Sequence, residues 1–234
     1  MARFSGVELD AVGVIAETVR RCRAWASRLL LVYGLVFGPY LALYALGAFK
    51  ASGIHGPNIL VFLLSPLLDG VATAWLLDPG MTLGQALLKG LRLYPRLVAT
   101  RLLKYLGIGM GMLALVIPGL LLGAWFSLSD PLIVVGRGGR DPFAPLFESR
   151  RLVRGHSEPV LLAMLPLILI TQGGGLLPMV YGNVGQENAD PEVWTHFFNI
   201  FVDWMYLAMT VMSVVLWERL GRDAEAPSPK RQKG

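Results

Sequence analysis

The sequence predicts an all-α polytopic membrane protein with six transmembrane helices, and three observations carry that expectation. Of its 234 residues, 54% are hydrophobic and only 16% are charged, against about 25% charged in ordinary soluble domains. The apolar residues gather into long runs that charge scarcely interrupts. The basic residues, in contrast, collect in alternate connections.

The runs are long enough for lipid. Leu29 to Phe49 carries no formal charge, and Asn58 to Leu77 carries one, Asp69. Tyr105 to Ser129 and Val160 to Gln186 carry none, and Val193 to Trp217 carries only Asp203. A helix of about 20 apolar residues crosses a hydrocarbon core of about 30 Å. Leu97 to Gly136 as one helix would reach about 60 Å, so it must fold back. Ile117-Pro118-Gly119 lies near its midpoint, where Pro and Gly break a helix. The hairpin turn is therefore expected at Pro118 and Gly119. The expected spans are about 29–49, 58–77, 97–117, 120–136, 159–181 and 196–217, within one membrane domain over residues 1–222. The opening "MARFSGVELD" lacks the basic-then-apolar pattern of a cleaved signal, so the first span is expected to stay in the mature chain. Residues 223–234, "DAEAPSPKRQKG", read as a disordered basic tail.

Basic residues orient the bundle. With the N-terminus inside, eighteen of the 21 Lys and Arg residues are cytoplasmic. Only Lys50 lies outside, and Arg101 and Lys104 fall within a span. This positive-inside bias predicts that both termini face the cytoplasm. Each cytoplasmic segment ahead of an odd-numbered span reads as an amphipathic interfacial helix. The first covers about 5–27, with Val7, Ala11, Val14, Val19, Cys22 and Trp25 on its apolar face. The second sets Leu83, Leu87, Leu91 and Tyr94 against Gln85, Lys89, Arg92 and Arg96. The third is expected to start at Asp141-Pro142 as N-cap and first helical residue and to end near Gly155. The chain thus divides into three pseudo-repeated helix-hairpin units.

Charges inside the spans are the candidates for function, since an unpaired charge at mid-bilayer costs about 3 kcal/mol or more. They are Asp69, Asp130 and Asp203, with Arg101 and Lys104 placed so that either reaches Asp69 or Asp130. Two roles remain open: ion pairs that lock the bundle, or a polar cavity for a cation, a proton or a lipid head group. Gly34 and Gly38, Gly107 and Gly111, and Gly119 and Gly123 have the spacing that lets helices approach closely. Pro39, Pro66, Pro131 and Pro166 are expected to kink their spans.

Catalytic signatures are missing. His55, His156 and His196 stand apart, Cys22 is the only cysteine, and no Gly-x-Ser-x-Gly, His-Glu-x-x-His or phosphate loop occurs. No metal or other cofactor is expected, and no nucleic-acid partner, because positive-inside topology already accounts for the basic face.

The block "VIPGLLLGAWFSLSDPLIVVGRGGRDPFAPLFESRRLVRGH", Val116 to His156, resembles the membrane domain of some glycerophosphodiester phosphodiesterases and the related uncharacterised six-span bacterial inner-membrane proteins. The matching features are Ile117-Pro118-Gly119, then "SLSDPLIVV", a variable basic turn, and Ser149, Leu152, Arg154, Gly155 and His156 as Ser-x-x-Leu-x-Arg-Gly-His. "VVLWERLGRD" is similar to that family's closing span, and "MTLGQALLKGLRLYPRLV" to an earlier cytoplasmic helix. Asp130 stands where the family has an uncharged residue, and Gly136 where an acid often follows. The resemblance concerns the membrane part alone, so it implies a fold and no hydrolytic activity. The expected function is a non-catalytic envelope protein that organises anionic lipid or serves as a membrane accessory subunit beside a protein partner. Lys89, Arg92, Arg150, Arg151 and Arg154 are the expected lipid-phosphate contacts. The alternative is a small transporter or channel using Asp69 and Asp130.

Overall fold

The computed structural model describes residues 9–46, 56–137, 139, 141–174 and 191–221, with side chains at 44–45, 56–61, 116, 169–174 and 191–203 outside the description. It is all-helical among the described residues. The helices are α1 (Ala11–Ala45), α2 (Gly56–Leu77), α3 (Leu83–Ala114), α4 (Val116–Trp125), α5 (Ser129–Val134), α6 (Ala144–Val153), α7 (Ser157–Gly174) and α8 (Pro191–Leu220). A short 3-10 turn, Arg154–His156, joins α6 to α7. Three stretches are long and apolar enough to cross a membrane: Ala11–Leu43, Leu83–Ala114 and Ile117–Val134, with a shorter apolar helix at Phe62–Leu77. Large apolar side chains also point outward, as at Leu106 and at Leu113, which is 89% exposed, while Asp69 is 5% exposed. Apolar outside and charged inside is the inverse of a soluble fold and fits a membrane protein.

Two prolines set the helix breaks. A proline ring excludes the helical carbonyl four residues earlier. Four before Pro118 is Ala114, where α3 ends; Leu115 is extended (φ −166°, ψ 144°) and α4 starts at Val116. The reversal thus falls at Leu115. Pro118 and Gly119, expected to form the turn, instead occupy the first turn of α4, where a missing N–H costs nothing. Four before Pro131 is Ser127, inside the break between α4 and α5. The Ser149 hydroxyl, from α6, fills this second break, accepting from Leu128 N at 3.0 Å and donating to the Trp125 carbonyl. Gly136 (φ +79°), a conformation that favours glycine, then closes α5.

Elsewhere the structure departs from the amphipathic pattern. The expected interfacial helices before the first and third spans are continuous with those spans in α1 and α3. On α1, Val14 is buried, but Val19 is 59% exposed and Thr18 takes the inner face, its hydroxyl bonded to the Val14 carbonyl. On α3 the packed face is Ala86, Gly90 and Leu97, whereas Leu91 is exposed. A Cβ at Gly90 would lie 2.5 Å from Val71 Cγ2, and one at Gly70 2.4 Å from Leu97 Cδ1, so small residues let α2 and α3 touch. Thr82 and Gln85 form a capping box at the start of α3, and Thr82-Leu-Gly-Gln85 carries that signal in the sequence. Asp141 makes an Asx turn to Phe143 N (3.0 Å), and α6 begins three residues later at Ala144, so Asp141 is not its N-cap.

The core has two clusters that meet along α8. Leu207, Val211 and Val214 pack with Val32, Phe37, Leu68 and Val71. Met212, Val215 and Leu216 pack with Val14, Leu128, Leu132 and Val160. The N-terminal end of α1 meets the C-terminal end of α8, where Arg21 grips Glu218 in a fork (3.0 and 2.6 Å) and Arg219 donates to the Gly13 carbonyl at 3.2 Å.

Candidate functional site

Four of the five charges that the sequence analysis singled out within apolar runs, Asp69, Arg101, Lys104 and Asp130, line one cavity. Asp69 lies eight residues, about 12 Å of helix, before the end of α2. Arg101 on α3 faces it, with Nη2 2.7 Å from Asp69 Oδ2. The other carboxylate oxygen accepts from Thr210 Oγ1 on α8 at 2.7 Å. Arg101 Nη1 donates to Ser65 Oγ on α2 at 2.9 Å, and its guanidinium lies 5.7 Å from the Tyr105 ring. This inner pair binds three helices and has both carboxylate oxygens engaged.

One turn along α3, Lys104 meets Asp130 on α5, but its Nζ stands 3.9 Å from Asp130 Oδ2. That exceeds hydrogen-bond range. Neither side chain makes a hydrogen bond to another described residue, although both are only about a fifth exposed (21% and 23%). The two pairs share a cavity of about 290 Å³. Its lining holds the four charges with Thr210, Ser213, Tyr105 and Tyr206. The other lining side chains are apolar, such as Ile108, Met112, Leu120, Met164 and Met209. Gly109 and Gly123 leave room along α3 and α4.

Those helices are brought close by glycine. A Cβ on Gly119 would fall 2.8 Å from Met112 N, and one on Gly111 3.0 Å from Gly119 Cα. Of the glycine pairs singled out in the sequence, Gly111 and Gly119 therefore carry the contact. Gly34 and Gly38 face open space.

The expected lipid-phosphate residues fall elsewhere. Lys89 is half-buried and Arg92 exposed, both on α3. Arg150 is exposed with its guanidinium 4.6 Å from the Trp125 ring. Arg151 pairs with Glu148 at 2.6 Å. Arg154 is exposed on the 3-10 turn. Two further arginines lie on tryptophans. Arg28 is 4.5 Å from Trp25 and 5.3 Å from Trp75, and Arg137 is 5.2 Å from Trp217. Asp203 lies on α8, but its side chain is outside the described residues, as are the tail 223–234 and the end of the expected fifth span. Among the described residues no group of three or more metal-ligating side chains occurs.

Ser65, Thr210 and Ser213 were not singled out from the sequence. Hydroxyls in apolar helices commonly bond their own backbone, and Ser213 does so, to the Met209 carbonyl at 2.9 Å. No periodicity separates Thr210 from such residues. No protein-family model, curated protein or solved structure matches the chain. Its class rests on fold and site: an all-helical chain with membrane-length apolar helices around a charged chamber.

Proposed function

We propose that this chain is a non-catalytic, six-span protein of the bacterial inner membrane whose chamber binds a small polar solute and carries it across the bilayer. The observation that supports this is the cavity of about 290 Å³, where two acids and two bases face one another and one of the two pairs stands apart. A bundle that used charge only for locking would close that pair to hydrogen-bond distance or replace it with apolar side chains, since desolvating loosely paired ions is unfavourable. The test uses the full chain in proteoliposomes. Proton flux is read by a trapped pH dye, and uptake is followed for labelled rubidium, leucine and phosphoethanolamine. Wild type is expected to conduct at least one of these, and Asp130→Asn to abolish that flux while the protein stays folded. Absence of every flux, or loss only through unfolding, would refute the reading.

Topology belongs to the same proposal. The basic bias supports placing both termini, and the connection near residues 137–158, on the cytoplasmic side. The meeting of Arg21 with Glu218 and of Arg137 with Trp217 at one end of the bundle agrees with it. The six-span plan that the resemblance of Val116–His156 implies is part of this proposal. Reporter fusions at residue 158 and at the C-terminus are expected on the same face.

A second reading, organisation of anionic lipid, is favoured by the arginine-on-tryptophan contacts. Trp and Arg together suit the head-group layer. Reversing charge at Arg150, Arg151 and Arg154 together is expected to lower co-purified anionic lipid, and an unchanged lipid complement would count against it.

A further inference from the structure

We infer that the chamber takes a zwitterion bearing a primary ammonium a few atoms from an oxyanion, held between Asp130 and Lys104. The inference rests on the chamber reading above and names its ligand. Charge balance comes first. The wall already holds two carboxylates and two cations, so a lone cation or anion would enter as an uncompensated charge in a medium of low dielectric. A zwitterion adds none.

Hydrogen-bonding capacity selects the place. Asp69 has both oxygens engaged and Arg101 donates from both terminal nitrogens, so the inner pair is a finished wall. Asp130 and Lys104, 3.9 Å apart, have no hydrogen bond among the described residues. A carboxylate only accepts and an ammonium only donates. Asp130 therefore calls for N–H donors, which a primary ammonium has and a quaternary one lacks. Lys104 calls for acceptor oxygens, as on a carboxylate or phosphate. Because the two side chains are neighbours, the opposite charges of the ligand must also be close. Met112, Met164 and Met209, with Ile108 and Leu120, give the cavity an adaptable apolar side, a setting for an aliphatic body or the start of an acyl chain.

Two sources share this chemistry: a free amino acid or glycerophosphoethanolamine, and the head group of an ethanolamine phospholipid. The full chain, purified in detergent, is titrated by calorimetry with leucine, glycerophosphoethanolamine, glycerophosphocholine, ethanolamine and inorganic phosphate. At least one of the first two is expected to bind. Glycerophosphocholine, ethanolamine and phosphate are expected to bind weaker by about tenfold or more, the effect of losing one charge-assisted hydrogen bond. Native mass spectrometry from vesicles of ethanolamine or choline phospholipid separates the sources. Selective retention of the ethanolamine lipid, displaced by glycerophosphoethanolamine, assigns the head group; binding of free zwitterion without such retention assigns the solute. Asp130→Asn and Lys104→Gln are each expected to lose binding. The double variant, which leaves no unpaired charge, is expected to keep the wild-type melting temperature and still not bind. Equal binding of glycerophosphocholine, of ethanolamine alone or of phosphate alone would overturn the inference, as would a double variant that binds like wild type. No binding of any probe would overturn it too. Persistent proton or rubidium flux in that last case would leave the chamber reading standing, whereas loss of both would end the two together.

Discussion

Removing one member of the Asp69–Arg101 pair is expected to destabilise the bundle strongly, and removing both is expected to cost far less. Asp69 is 5% exposed on α2 and its two oxygens take Arg101 and Thr210, each at 2.7 Å. In Arg101→Met the carboxylate keeps only the threonine as a partner while it stays 5% exposed. Breaking a buried pair in this way costs about 3–5 kcal/mol, and this variant belongs at the upper end. In Asp69→Asn the guanidinium retains Ser65 and the Tyr105 ring, so the loss belongs near the lower end, about 3 kcal/mol. Asp69→Asn combined with Arg101→Met leaves no unpaired charge, and the thioether fills most of the arginine stem's volume. Its stability is expected within about 1–2 kcal/mol of wild type. The assay is reversible unfolding in mixed micelles of a mild detergent and dodecyl sulfate, read as a double-mutant cycle. The same cycle on Lys104 and Asp130, 3.9 Å apart, is expected to give a coupling below about 1 kcal/mol. A loss under about 1 kcal/mol for Arg101→Met, or a double variant less stable than both singles, would refute the view that charge pairing shapes this interior.

Three further outcomes follow from local geometry. Gly119→Ala is expected to lose about 1–3 kcal/mol by overpacking, because its Cβ would meet Met112 N at 2.8 Å. Gly123→Ala, with only Ile108 Cδ1 at 4.0 Å, is expected within about 0.5 kcal/mol of wild type; comparable melting of the two variants would contradict the close α3–α4 contact. Ser149→Ala removes the hydroxyl that joins Leu128 N to the Trp125 carbonyl and is expected to cost about 1–3 kcal/mol, with faster amide exchange at Leu128 as the local signature. Glu218→Gln breaks the fork to Arg21 at the half-exposed junction of α1 and α8. Its cost is expected to be about 1 kcal/mol and to shrink with added salt, and a salt-independent loss would argue against an electrostatic tie.

The charged chamber was partly legible in the sequence because charge in an apolar run is rare and costly. Asp69, Arg101, Lys104 and Asp130 stand out one by one, and their shared depth brings them within reach of each other. What the sequence withholds is which acid takes which base, because that depends on helix rotation. Rotation here is set by Gly90 against Val71 and Gly111 against Gly119, contacts between residues whose distance along the chain says nothing of register. The same limit hides Thr210, 141 residues from its partner. The α3–α4 break was legible to within a turn, since Pro118 forbids the Ala114 carbonyl bond. Its exact place was not, because proline ends a helix four residues upstream of itself and then sits comfortably in the next. Val19 and Leu91 point outward for a related reason: when the surroundings are apolar, an outward valine or leucine carries no penalty, so hydrophobicity stops marking the packed face. Small residues mark it instead.

That shift of signal bears on the question the sequence left open, whether these charges lock the bundle or line a site. The geometry divides the work between two pairs. Asp69 and Arg101 join α2, α3 and α8 through three short polar contacts, so both carboxylate oxygens and both terminal guanidinium nitrogens already have partners. Asp130 and Lys104 hold each other at a distance that satisfies neither, and they do so beside a cavity rather than against packed methylenes. A locking pair and a receptive pair make opposite demands on the same substitution. Neutralising one member of the first should cost stability, and neutralising one member of the second should cost binding with little change in stability. If stability falls equally at both, the two pairs are one structural network and the chamber is only the space that network leaves.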